Sequence, residues 1–204
     1  MSAASTLLTV FGVHVAAMAS PGPNFLLVSQ AAVRHSRRQA LLMAAGVAAG
    51  AVVLSGAAVV GLGVVLTRIH PLYLAVRIAG GAYLIWLAIQ MWRNATRPTL
   101  AQGAPLAVTS GQCFRTGLLT NLTNPKALVF FGSVLTALLP AGLPAWVSVA
   151  AVVIIGLNGL WWHFMLAVVF SSLPVQRTYA RAKVWIDRVV GTILAGIGVR
   201  LLGG

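Results

Sequence analysis

Ser20-Pro21-Gly22-Pro23-Asn24 interrupts the first long apolar segment of the chain, and Asn121-Leu122-Thr123-Asn124-Pro125-Lys126 interrupts the fourth. Proline carries no amide hydrogen, so the motifs take the usual helical donors from carbonyls one turn upstream, at Ala17, Ala19 and Asn121. In a bilayer such breaks persist only where protein or a watery cavity satisfies the freed groups. Broken helices at matching places in two halves of a membrane chain point to a transporter's binding site. The pairing predicts an all-α integral membrane protein: six transmembrane helices in an inverted 3+3 repeat, with helices one and four broken at the proline motifs.

Composition leads the same way. Of 204 residues only 7% are charged, against roughly a quarter in a soluble domain, so water is not the solvent for most of the surface. Fourteen Lys and Arg stand against one acid, Asp187, for a net charge of +13. In a soluble protein that balance would suggest nucleic acid. Here the basic residues fall between apolar runs, with no dense stripe and no interleaved aromatics, so lipid headgroups and the positive-inside rule explain them better. The single cysteine, Cys113, allows neither an internal disulfide nor a thiolate metal cluster. Ala17-Met18-Ala19 looks like a signal cleavage site, yet no positive n-region precedes it and prolines follow, so residues 6–30 read as a retained helix.

Apolar runs at 6–28, 40–66, 72–92, 114–139, 145–170 and 184–202 are each long enough to cross ~30 Å of hydrocarbon. The connections 31–39, 93–112 and 171–183 are basic and the others are poor in charge. This alternation predicts three cytoplasmic loops, with both termini outside. Trp92, Trp146 and Trp185 fall at span ends, where an interfacial aromatic belt would put them. Three spans per half make the halves inverted. Pro23-Asn-Phe-Leu26 aligns with Pro125-Lys-Ala-Leu128, and Arg77-Ile-Ala-Gly80 with Arg188-Val-Val-Gly191. The expected organisation is one transporter domain over 1–204: repeat one at about 6–92, a linker at 93–112 and repeat two at about 113–204. Small residues, including Gly46, Gly50, Gly61, Gly63, Gly80, Gly81, Gly191, Ala195, Gly196 and Gly198, allow close helix packing within the chain or across a homodimer face.

The motifs supply polar groups at depth: Ser20, Asn24, Asn121, Thr123 and Asn124. An amino acid crossing a bilayer needs both charged ends solvated. Amide oxygens and bare carbonyls suit its ammonium group; a lysine and helix N-termini suit its carboxylate. The same residues could serve only to repair or hinge the backbone around Pro21, Pro23 and Pro125. Lys126 lies roughly 16 Å into the fourth span from Arg115, near mid-bilayer, where a cation is costly and usually functional. It either holds the substrate carboxylate or snorkels to the cytoplasmic face. Candidate substrate-binding residues are therefore Ser20, Gly22, Asn24, Asn121, Asn124 and Lys126. His14, His163 and Asp187 are the candidates for proton coupling. Lys183 four residues before Asp187 also suits an ordinary interfacial ion pair.

One acid excludes paired-carboxylate chemistry and leaves little for a catalytic triad. No Walker loop is present, so pumping would draw on a gradient. An enzyme, a resident cofactor and a metal site are not expected. Carriage of another solute, or a non-transporting membrane scaffold, remains open.

These motifs resemble the LysE/RhtB family of bacterial amino-acid exporters nearly end to end. The resemblance rests on Ser20-Pro-Gly-Pro-Asn24, on Gly117-Leu-Leu-Thr-Asn-Leu-Thr-Asn-Pro-Lys126, on Gly81-Ala-Tyr-Leu-Ile-Trp86, and on Trp185-Ile-Asp187 with Gly191. Val28-Ser-Gln30, Phe131-Gly-Ser133 and Ala182-Lys183 look closest to the threonine-exporting Rht group. The resemblance implies an inner-membrane efflux carrier driven by the proton gradient, with threonine and homoserine as leading substrates. It departs at Asn24, where the threonine exporters carry an acid, and near Ala51, where other members do. Asn24 can orient an ammonium through its amide oxygen but cannot neutralise it.

Overall fold

The computed structural model describes residues 2–19, 22–34, 36–68, 70–96, 109–139, 143–170 and 172–203. Every regular element among them is helical: α1 (Ala3–Ala19), α2 (Pro23–Arg34), α3 (Arg37–Arg68), α4 (His70–Asn94), α5 (Ser110–Leu122), α6 (Pro125–Val129), a π-helical stretch (Phe130–Leu135), α7 (Thr136–Leu138), α8 (Ala145–Val169) and α9 (Leu173–Gly203).

Local chemistry explains the boundaries. In α3 the Gln39 amide donates to Ser36 Oγ while the Ser36 amide donates to Gln39 Oε1, at 3.3 and 3.1 Å. Thr109 and Gln112 form the same reciprocal cap on α5. Each box satisfies amides that the first turn leaves bare.

Two helices among the described residues are both long and apolar enough to cross a bilayer, Arg37–Gly61 and Ala145–Val169. Ala3–Ala19 with Pro23–Val33 makes a third if the pair, bent by 59°, counts as one broken span. The other expected spans read less simply. Pro125–Leu138 is a shorter apolar helix, because Asn124-Pro125 divides it from α5. Helices α4 and α9 have the length, at 25 and 31 residues, but α9 carries Lys183, Asp187 and Arg188 inside it.

Glycines set the closest crossings. A Cβ on Gly46 would stand 2.1 Å from the Phe114 carbonyl oxygen, and one on Gly117 would stand 2.0 Å from that of Met43. Helices α3 and α5 therefore cross backbone to backbone. Gly81 and Gly198 do the same for α4 and α9, each facing the other's carbonyl oxygen. Gly61 and Gly196, by contrast, face open space. Helix α3 also packs along α8. Down α8, Val147, Ala151, Ile155, Asn158 and His163 turn inward, while Trp146, Val149, Val153, Leu157 and Trp161 form an exposed apolar stripe. Trp92 and Trp185 are likewise exposed.

Candidate functional site

The second break caps itself. Thr123 ends α5, its amide bonding to the Leu119 carbonyl at 2.9 Å and its hydroxyl to the same carbonyl at 2.7 Å. Asn124 is extended, with φ −73° and ψ 113°, and its side chain accepts the Lys126 amide at 3.0 Å. Pro125 then opens α6 at the position where its missing amide costs nothing. The Asn121 carbonyl, expected to lack its donor, accepts the Asn124 amide at 3.1 Å. Thr123 is exposed and turned back on α5, so it contributes nothing to the interior. At the first break, the Gly22 carbonyl accepts the Leu26 amide at 2.9 Å as α2 begins at Pro23. Ser20 and Pro21 lie outside the described residues.

The two breaks touch. Asn24 Nδ2 donates to Asn121 Oδ1 at 2.8 Å, and Asn121 Nδ2 donates to the Val47 carbonyl of α3 at 2.7 Å. This chain of bonds orients both amides, because a backbone carbonyl can only accept. Asn121 must present its nitrogen to Val47, hence its oxygen to Asn24, and Asn24 must answer with nitrogen. The Asn24 Oδ1 is left buried and without a partner. A bare acceptor of this kind is an exception among buried polar groups.

A cavity of about 60 Å³ lies against this junction. Gly22, Asn24, Asn121, Asn124 and Lys126 line it, so every described residue of the expected substrate set converges there. His14 and His163 line it too, both buried. The structure thus brings together two of the three expected proton-coupling candidates. Among the described lining residues there is no carboxylate. His163 Nδ1 donates to the Gly159 carbonyl at 2.7 Å. His14 Nδ1 has no partner, and its ring lies 5.7 and 5.9 Å from those of Phe130 and Phe131. Tyr83 of α4 holds the adjoining backbone, its hydroxyl donating to the Lys126 carbonyl at 3.1 Å.

Asp187 stands apart from the lining. Its Oδ2 accepts from Lys183 Nζ at 2.7 Å, and the same ammonium donates to the Asn94 and Ala95 carbonyls at 2.7 and 3.0 Å. Both side chains are buried, at 7% and 1% exposure, so an ordinary interfacial ion pair describes them poorly. The pair caps the C-terminal end of α4, where a cation is favoured. Nearby, the Arg188 guanidinium lies 5.5 Å from the Trp92 ring centroid.

Sequence reasoning passed over the aromatic wall. Phe130 and Phe131 both line the cavity, although neighbours on an α-helix diverge. They lie in the π-helical stretch, with ring centroids 5.2 Å apart, edge to face. Phe25 lines the cavity as well and packs its ring on Phe170 and Tyr179 at 5.5 and 5.4 Å. No local pattern signals either feature.

Comparison with known proteins places the chain in a family. Residues 15–204 match the LysE type translocator family. The chain is 37% identical over 200 residues to the threonine efflux protein of Escherichia coli (strain K12), covering 96% of each. It is 36% identical over 197 residues to the threonine efflux protein of Salmonella typhi, covering 95% of this chain and 96% of that one. A homoserine/homoserine lactone efflux protein of Salmonella typhimurium (strain LT2) shares 37% identity over 120 residues, 56% of this chain and 55% of its own. No solved structure matches. The chain belongs to the LysE-type translocator family.

Proposed function

We propose that this chain is a secondary transporter of the bacterial inner membrane that exports small neutral amino acids, threonine and homoserine foremost, by proton antiport and alternating access. The observation that carries the reading is the Asn24–Asn121 bond: two broken helices, a hundred residues apart in sequence, join at a cavity that Lys126 also lines. The relatives' names supply the substrate class.

In this reading Lys126 pairs with the substrate carboxylate, and the bare Asn24 Oδ1 accepts from its ammonium group. A cavity of about 60 Å³ has room for roughly four to six waters, the scale of a small amino acid. A lining with cationic or titratable bases and no described carboxylate suits a zwitterion and disfavours a cationic amino acid. The N-terminus of α6 is spoken for by Asn124, which leaves the carboxylate to Lys126.

The six-span inverted repeat is part of the proposal. Its support is that counterparts in the two halves lie side by side, α3 against α8 and α4 against α9, as they would if a pseudo-twofold axis in the membrane plane passed between them. The exposed stripe of α8 would face lipid. Both termini would lie outside and the basic connections inside. Pro23 and Pro125 would mark the hinges, and the Phe25–Phe170–Tyr179 cluster would seal the cavity on the cytoplasmic side. The sequence leaves a homodimer open.

The test is threonine and homoserine efflux from preloaded cells. Expression of the chain should speed the loss, and Lys126→Ala should abolish that gain while the protein remains in the membrane. Unchanged efflux from cells with the protein confirmed in the membrane would contradict the substrate assignment, and normal export by Lys126→Ala would contradict the lysine's role.

A further inference from the structure

We infer that the exchanged proton rides on His163 Nε2, and that antiport arises because this proton and the substrate ammonium exclude one another from the cavity. The inference rests on the exporter reading above and adds the coupling group. Proton antiport commonly uses an intramembrane acid, but the only carboxylate side chain in the sequence is Asp187, and it is tied to Lys183 at the end of α4. Among the described lining residues the titratable groups are His14 from α1, Lys126 from α6 and His163 from α8. Helices α2, α3 and α5 contribute only uncharged described residues to the lining. Tyr83 of α4 meets the Lys126 backbone through its hydroxyl.

The two histidines are not equivalent. The Gly159 carbonyl accepts only, so His163 keeps a hydrogen on Nδ1 and leaves its Nε2 lone pair bare. When that lone pair takes a proton, the Nδ1–H bond becomes charge-assisted and strengthens. A hydrogen-bond partner for the charged ring is therefore already in place. His14 has no partner on Nδ1 and packs among phenylalanine rings, so charging it gains no such bond.

A protonated His163 adds a positive charge to a lining that already holds Lys126 and, among its described residues, no carboxylate. In a low dielectric that repels the ammonium of an incoming amino acid. Entry of the substrate from the cytoplasm thus requires the proton to leave Nε2, and return of the proton from outside favours release of the substrate. Nδ1 keeps its hydrogen throughout, so one proton enters and leaves at one atom.

The experiment uses the full chain in liposomes with radiolabelled threonine. Exchange without a gradient in the wild type tests the carrier reading alone. An interior about one pH unit more acidic should drive about tenfold threonine accumulation in one-for-one antiport. His163→Asn keeps a donor for the Gly159 carbonyl and removes Nε2; His163→Gln is the second variant, should the first not insert. Expected is loss of gradient-driven accumulation and a flattened pH profile of exchange, with Thr123→Ala, which alters an exposed hydroxyl outside the cavity, still accumulating. Accumulation in either His163 variant equal to the wild type, or its loss only in His14→Asn, would overturn the assignment and leave the carrier standing. Wild-type protein that exchanges no threonine would overturn the carrier reading and this inference with it. Proton release when threonine is added to solubilised protein, followed with a pH dye, gives an independent measurement. Release should occur in the wild type and vanish in the His163 variants; release that persists in them overturns the assignment.

Discussion

Asn121→Ala probes the junction of the two breaks directly. Asn121 is 2% exposed and makes two side-chain bonds, accepting from Asn24 at 2.8 Å and donating to Val47 at 2.7 Å. Truncation leaves the Asn24 nitrogen buried without an acceptor, which costs about 1–3 kcal/mol, and removes one neutral bond to Val47, about 1 kcal/mol. The sum is about 2–4 kcal/mol, at the lower end if water enters the cavity to serve Asn24. Thr123→Ala, which removes an exposed hydroxyl bonded back to its own helix, should cost no more than about 1 kcal/mol. Reversible unfolding in mixed detergent micelles would measure both. A double-mutant cycle with Asn24→Ala isolates the link between the breaks, and its coupling energy should be about 1 kcal/mol. A coupling indistinguishable from zero, or an Asn121→Ala variant as stable as the wild type, would refute the claim that this bond joins the two halves.

Three other changes test the surrounding structure. Gly117→Ala places a methyl group 2.0 Å from the Met43 carbonyl oxygen, so it should destabilise by about 1–3 kcal/mol or more. Gly12→Ala, in α1 with open space around it, should be neutral or stabilising by up to about 1 kcal/mol in the same assay. Lys183→Met strands the buried Asp187 carboxylate and should cost about 3–5 kcal/mol; adding Asp187→Leu should recover most of the loss, read as restored yield of folded protein.

Much of the site was legible because prolines and amides act locally. Pro23 and Pro125 end one helix and open the next whatever surrounds them, and the polar residues beside them had to meet polar groups somewhere. That Asn24 and Asn121 would satisfy each other is a tertiary fact, invisible to spacing. Lys183 and Asp187 show the opposite case: an i, i+4 pair reads as a routine surface contact, and only the packing of α4 on α9 shows it buried and capping a helix end. Phe130 and Phe131 both line the cavity from within a π-helical stretch, which no periodicity in so short a segment announces. The asymmetry between His14 and His163 likewise depends on whether a carbonyl stands beside Nδ1, as that of Gly159 does for His163 and none does for His14. Six apolar runs are easy to count, yet the breaks and the charges within α9 leave fewer helices among the described residues that meet the length and apolarity of a simple span.

The central claim, that an amino acid occupies the cavity between the two breaks, is tested most directly by substrate protection of a reporter inside it. Ala51 lines the cavity and is 5% exposed, while the native Cys113 is buried on α5 outside it. In a Cys113→Ser background, an Ala51→Cys thiol should react with a small maleimide through the cavity, and threonine should slow that reaction in proportion to its occupancy, with no protection once Lys126→Ala is added. Labelling that threonine leaves unchanged, in protein that still exports it, would place the substrate elsewhere and contradict the account.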